Sequence, residues 1–161
     1  LPFTDNDPLP LLDAYKQRAD TWLARAPGLI HSDLIAWVEE RAAETAELLK
    51  EMNPARVPCH RDYTARNWLV DVADGVKLSV IDFEHARPDF WLFDTEKLTV
   101  EVGGTGLENA FWQGYGKRPT DAEKYVLETH GALTALSTVV WAREHGDTAF
   151  EAAGRKRLDR L

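Results

Sequence analysis

Apolar residues return at helical spacing along most of the chain and at strand spacing in one short stretch. Leu11, Leu12, Tyr15, Ala19, Trp22 and Leu23 make a first stripe, which predicts a helix halted at Pro27-Gly28. Ser32 or Asp33 is placed to cap a second helix carrying Leu34, Trp37, Val38, Ala42, Thr45, Leu48 and Leu49, which Asn53-Pro54 ends. The period then changes. Trp68-Leu69-Val70-Asp71-Val72 and Lys77-Leu78-Ser79-Val80-Ile81 are short, apolar and rich in β-branched residues, and Asp74-Gly75 between them signals a hairpin.

Helical spacing resumes beyond it. Asp94 is placed to cap a helix opening at Thr95-Glu96-Lys97-Leu98, Gly103 to Gly106 break the chain, and Leu107 to Tyr115 is again helical. Thr120-Asp121-Ala122-Glu123 has the form of a capping box, opening a long helix with Val126, Leu133, Leu136, Val140 and Trp141 on its apolar face, up to Gly146. A last helix from about Thr148 is amphipathic through Phe150, Ala153 and Leu158, with Arg155, Lys156, Arg157 and Arg160 outward. Residues 1–8, with Pro2 and Pro8, predict an extended lead-in. The expected fold class is mainly α with a small β-hairpin, an α+β arrangement. It is read as one domain over 1–161: a helical segment 1–54, a loop-and-hairpin segment 55–94, and C-terminal helices 95–161.

Composition narrows the classes of function. At 161 residues, with 44% hydrophobic and 29% charged residues, the chain is long enough to bury a core without a staple. A net charge of −8 argues against nucleic acid as partner and favours a cationic small molecule, although Glu39, Glu40, Glu44 and Glu47 are also expected simply as a solvated helix face. No apolar run is long enough to span a membrane, and the first residues lack the pattern of a signal peptide. Cys59 is the only cysteine, which favours a reducing, cytoplasmic setting. The histidines show no metal-ligand spacing, and adjacency to His60 does not make Cys59 a nucleophile.

The chemistry is concentrated in His60-Arg61-Asp62-Tyr63-Thr64-Ala65-Arg66-Asn67 and, after the hairpin, Ile81-Asp82-Phe83-Glu84. A hairpin returns the chain on itself, so Asn67 before the first strand and Asp82 after the second are expected side by side. Two oxygen ligands suit Mg²⁺, which takes one or two carboxylates and completes its shell with phosphate and water. A carboxylate just ahead of them, Asp62, is placed to orient an acceptor hydroxyl. Phosphoryl transfer asks little else of a protein. His60 is expected to be a buried hydrogen-bonding residue that fixes the loop.

HRDYTARNWLV with VIDFE resembles the catalytic and metal-binding segments of the aminoglycoside phosphotransferase and choline kinase superfamily, and FWLFDTEKL, FWQGYGKRP and ALSTVVWAREHGD extend the similarity over residues 55 to 150. The resemblance implies the helical C-terminal lobe of a protein-kinase-like fold, with Asp62 as catalytic base and Asn67 and Asp82 as magnesium ligands. ATP or GTP would be the co-substrate. Family members often have Gly in place of Arg61 and His or Lys in place of Thr64, so contacts to phosphate and substrate are expected to differ here. Glu84 is expected in the outer metal shell or paired with Arg61 or Arg87, and Asp94 as a helix cap or partner of a loop arginine. Asp121, Glu123, Glu128, Glu144 and Asp147 are candidates to hold the amines of a substrate.

The N-terminal β lobe of such a clamp is not found in the sequence. Residues 1–58 hold one glycine, Gly28, and Lys16 and Lys50 fall in helical patterns, so neither a glycine-rich phosphate cover nor a strand lysine is present. The chain is therefore expected to be a C-lobe, inactive alone and partnered by a missing N-terminal lobe. A protein kinase lobe is the weaker alternative, because no Ala-Pro-Glu follows the metal motif. A non-catalytic pseudokinase or interaction module is the other.

Overall fold

The helix-period stripes become α-helices in the computed structural model, which describes residues 10–161 and the side chains of all of these except 100–102. The predicted lead-in at 1–8 lies outside the described residues. The helices are α1 (Leu11–Leu23), α2 (Ser32–Met52), α3 (Glu96–Val102), α4 (Gly106–Tyr115), α5 (Asp121–His145) and α6 (Thr148–Leu158). The strands are β1 (Val57–Cys59), β2 (Trp68–Asp71), β3 (Lys77–Val80) and β4 (Arg87–Asp89), paired as two antiparallel two-stranded sheets. The fold class is α+β. The chain divides into two compact units, one of residues 55–120 and one that combines 10–54 with 121–161.

The second unit is a helical bundle of α1, α2, α5 and α6. Tyr15 and Ala19 of α1, Val38, Ala42, Ala46 and Leu49 of α2, and Val126, Leu133, Leu136 and Val140 of α5 are buried, each valine or leucine contributing about 1.5–3 kcal/mol when fully removed from water. The glutamates 39, 40, 44 and 47 of α2 face solvent. Arg41 fastens α2 to α5: its guanidinium lies over the rings of Trp37 and Tyr125 and donates to Thr129 Oγ1 and Glu128 Oε2, at 3.3 and 3.2 Å. Asn53, left-handed at φ 39°, ends α2 where Asn53-Pro54 predicts a stop. The N-cap is His31 rather than Ser32 or Asp33: its Nδ1 accepts the Asp33 N–H at 3.3 Å, so the imidazole takes the place of a hydroxyl or carboxylate.

The face of α6 differs from the amphipathic prediction. Its buried residues are Glu151, Gly154 and Leu158, whereas Phe150 and Ala153 are exposed. Gly154 decides this. A Cβ built there would lie 2.9 Å from Val139 Cγ2 and 3.1 Å from the Val139 backbone nitrogen, so the two helices meet where only glycine fits. Glu151 is tolerated on the same face because Arg143 and Arg155 donate to its Oε1 at 2.7 and 2.9 Å and hold its carboxyl below the usual range. Arg155 is thereby drawn inward, also donating to Leu29 O at 3.1 Å. Trp141 is likewise not in the core. It is 40% exposed, stacked on His145 with centroids 4.0 Å apart and in edge contact with Phe150.

Gly154→Ala sets two effects against each other. The helix gains about 1 kcal/mol of propensity, but overpacking against a buried β-branched side chain with backbone behind it costs about 1–3 kcal/mol. The denaturation midpoint of the variant is expected to fall; a rise would show that α5 and α6 can part at no cost.

The first unit carries both small sheets, α3 and α4. β1 and β4 pair Val57 with Asp89, Pro58 with Pro88 and Cys59 with Arg87, a sheet absent from the sequence reading because each strand is three residues long and has proline at its centre. β2 and β3 form the predicted hairpin, each one residue shorter than expected, with Trp68 opposite Val80 and Gly75 at φ 101° in the turn. A short 3-10 turn, Trp91–Asp94, leads from β4 into α3.

Candidate active site

Residues 60–67 span from β1 to β2 and are held from two sides. Asp94, at the end of the Trp91–Asp94 turn, accepts the backbone N–H of His60 on Oδ2 and that of Arg61 on Oδ1, both at 2.6 Å. It is not a helix cap, since Thr95 precedes α3, but it is the partner of a loop arginine, Arg61, through the backbone. From the hairpin side, His60 Nε2 lies 2.8 Å from Ile81 O, while His60 Nδ1 accepts the Asp62 N–H at 3.2 Å. Because Nδ1 is the acceptor, Nε2 carries the proton and donates to the carbonyl. The residue is 5% exposed, and its ring lies tilted against Phe83 with centroids 4.6 Å apart. One imidazole thus ties the Asp62 backbone to the residue preceding Asp82.

Arg61 adopts φ 71°, a left-handed conformation that glycine enters without strain and most side chains do not. This accounts for the frequent glycine at this position in the resembling family. Arginine is kept here by its far end, since its buried guanidinium reaches Asp89 Oδ2 at 2.8 Å, and Arg87 approaches the same oxygen at 3.9 Å. Burial pushes the Arg61 guanidinium below its ordinary pKa, opposed by the Asp89 carboxylate. Glu84 pairs with neither arginine. It is exposed beside His85, 3.3 Å away, and Asp89 is the partner of the two arginines instead.

Asp62 is 7% exposed, and both its oxygens are engaged. Lys97 Nζ of α3 donates to Oδ1 at 2.5 Å; Arg66 Nη2 and Asn67 Nδ2 donate to Oδ2 at 2.6 and 3.1 Å. Burial alone would raise its pKa, but the hydrogen bonds from Lys97 and Arg66 outweigh this and hold the carboxyl well below the usual range. Sequence reasoning missed both cations. Arg66 stands four residues from Asp62 and could have been weighed as a partner; Lys97, 35 residues away, has no local signal.

Asn67 also donates from Nδ2 to Asp62 O at 2.9 Å, which commits the amide nitrogen and makes the amide oxygen the atom able to coordinate a cation. The Ile81 N–H donates to Asn67 O at 3.0 Å, extending the β2–β3 register by one pair, so Asn67 and Asp82 leave the same end of the hairpin. Asp82 is exposed and left-handed at φ 67°, a region that Asp and Asn enter more readily than other side chains. No group of three or more His, Cys, Asp or Glu able to hold a metal occurs among the described residues, so the candidate ligand set is this Asn–Asp pair.

Asp121, Glu123, Glu128, Glu144 and Asp147 all lie in the helical unit. Asp121 pairs with Lys124 at 2.9 Å, Glu128 with Arg41 and Glu144 with Arg25, Asp147 caps α6 through Phe150 N, and Glu123 is buried. Cys59 is 2% exposed with Sγ 3.5 Å from Phe90 O, and burial, reinforced by Asp94 and Asp89, pushes its thiol up to about 12. It is expected to resist aromatic disulfide reagents at about pH 8 until the protein is unfolded, as thiol titration with and without denaturant will measure. Fast labelling of the folded protein would show that the loop opens.

The profile of the phosphotransferase enzyme family matches residues 2–127. Among solved structures, the fold resembles macrolide 2'-phosphotransferase type I, with 17% identity and a TM-score of 0.60 over 92% of this chain and 48% of that one. It resembles APH(2")-IIia in its complex with GDP and kanamycin, with 15% identity and a TM-score of 0.76 over 99% and 52%. It also resembles Plasmodium vivax ethanolamine kinase, with 17% identity and a TM-score of 0.57 over 99% and 50%. At such identities the likeness is one of fold. The chain spans about half the length of the solved structures it matches. No curated protein matches it in sequence.

Proposed function

The chain belongs to the phosphotransferase enzyme family, and on that footing we propose that it is the catalytic lobe of a small-molecule O-phosphotransferase, moving the γ-phosphoryl group of ATP or GTP to the hydroxyl of a small acceptor. What supports this reading is the Asn67–Asp62 hydrogen bond together with the exit of Asn67 and Asp82 from the same end of the β2–β3 hairpin, beside a loop held by His60 and Asp94. Asp62 aligns the acceptor hydroxyl and accepts its proton late in the transfer, a task that an ionised carboxylate of low basicity can perform. The Asn67 amide oxygen and the Asp82 carboxylate fit magnesium as donors. When bound, magnesium would neutralise charge on the nucleotide phosphates.

The reading also includes a second, N-terminal lobe. Leu69, Val70, Val72, Val76 and Leu78 are each more than half exposed on the hairpin, and a two-stranded hairpin that leaves its apolar side chains in water has no core of its own. We take these side chains as the surface that lobe covers. Phosphates must be clamped from both sides for transfer, because positioning and electrostatics supply nearly all of the rate enhancement.

The test compares this 161-residue chain with a form in which the upstream half is restored in cis. Magnesium-nucleotide affinity is followed by calorimetry and transfer by product formation with hydroxylated amines and sugars. Weak binding and no transfer by the chain alone, with both gained in the longer form, is the expected result. Robust transfer by the chain alone would make the second lobe dispensable, and no transfer by either form to any acceptor would overturn the reading.

A further inference from the structure

Asp62 is over-neutralised. One carboxylate, 10% exposed at its side chain, is met by two cations, Arg66 on Oδ2 at 2.6 Å and Lys97 on Oδ1 at 2.5 Å. A single cation is enough to keep a buried carboxylate ionised, so the pair leaves a surplus positive charge beside the oxygens that an acceptor hydroxyl must approach. The two cations are not equivalent. Lys97 is carried by α3 and is 37% exposed, whereas Arg66 sits on a one-turn 3-10 helix, Ala65–Asn67, with a side chain 70% exposed. With its side chain largely in solvent, Arg66 is the less confined of the two cations. Arg66 directly precedes Asn67, whose amide nitrogen is committed to Asp62, so its guanidinium reaches the proposed base from the residue next to a proposed magnesium ligand.

Building on the phosphotransferase reading, we propose that Arg66 is a further catalytic residue: as the acceptor hydroxyl takes its place on Asp62 Oδ2, its guanidinium passes to the non-bridging oxygens of the transferred phosphoryl group. Lys97 stays on Oδ1 as a positioning residue that keeps the carboxylate ionised and aimed. In the step itself the acceptor oxygen forms its bond to phosphorus, the bond from phosphorus to the nucleoside diphosphate breaks, and the acceptor's proton passes to Asp62 and then to solvent. The negative charge on the moving phosphoryl group is thereby met, from the acceptor side, by a planar cation able to bind two of its oxygens at once. This is the role of an arginine finger supplied by the catalytic loop itself.

The experiment uses the full-length protein with magnesium-ATP and with its γ-thio analogue. Arg66→Ala is expected to lower kcat by roughly 10²-fold while leaving nucleotide affinity nearly unchanged, as for loss of one preorganised donor to a developing charge. Guanidinium or methylguanidinium added to the medium is expected to restore part of the activity, and Arg66→Lys to retain an intermediate rate. The rate difference between the oxygen and sulfur nucleotides, which reports contact with a non-bridging oxygen, is expected to shrink in Arg66→Ala and to persist in Lys97→Met. A merely structural Arg66 would give neither rescue nor a changed sulfur effect; that result, or full turnover by Arg66→Ala, would overturn the proposal. Asp62→Ala separates the two levels: if it retains wild-type turnover, the phosphotransferase assignment itself falls, whereas if it fails while Arg66→Ala is fully active, only the role of Arg66 falls.

Discussion

Asp82→Asn in the full-length enzyme is expected to lose transfer by roughly three orders of magnitude or more, with a matching loss of magnesium-dependent nucleotide binding. Asparagine is the informative replacement. Asp82 sits at φ 67°, where alanine would add backbone strain, while asparagine keeps both shape and conformation and removes only the charge. Asn67→Ala removes the neutral one of the two proposed ligands and is expected to be milder, partly rescued by raised magnesium or by manganese. It also takes away the amide that donates to Asp62 at two points, so its residual rate is expected to stay below wild type even at saturating metal. Unchanged magnesium dependence in both variants would mean that the hairpin end holds no metal.

The second large effect is at the base. Asp62→Ala is expected to lower kcat by roughly two to four orders of magnitude while nucleotide affinity holds, because the proposed role of the carboxylate is toward the acceptor and not the phosphates. The substitution also leaves Lys97 and Arg66 without their common anion, which puts two like charges across a small gap. Some loss of stability is expected alongside the loss of turnover, and a thermal melt of each variant separates the two. Comparable turnover in mutant and wild type would remove Asp62 from the chemistry.

The parts of this protein legible in its sequence are those set by local periodicity or by a turn. The register of the β2–β3 hairpin follows from two β-branched runs around Asp74-Gly75, and with it the exit of Asn67 and Asp82 from the same end. The bundle helices follow from their apolar stripes, and the buried, loop-fixing place of His60 follows from its position in the motif. What was not legible depends on contacts across sequence distance. Lys97 reaches Asp62 only because the Trp91–Asp94 turn brings the start of α3 under the loop, and the β1–β4 sheet consists of two three-residue strands whose central prolines argue against strand. Asp89 displaced Glu84 as partner of the loop arginine for the same reason: β4 places it opposite Val57, an arrangement no spacing announces. On α6, one glycine outweighed the amphipathic pattern, since close approach to Val139 buries Gly154 and turns Phe150 outward.

Residues 60–67 and the end of the hairpin are proposed to form a site for phosphoryl transfer to a hydroxyl. It is tested most directly by incubating the full-length protein with γ-labelled nucleotide, magnesium and a panel of hydroxylated amines, sugars and amino-alcohols, beside its Asp62→Ala variant. The account predicts label in the hydroxyl of at least one acceptor with the wild type and almost none with the variant, at equal bound nucleotide. Label that appears equally with both proteins, or in no acceptor with either, would contradict it.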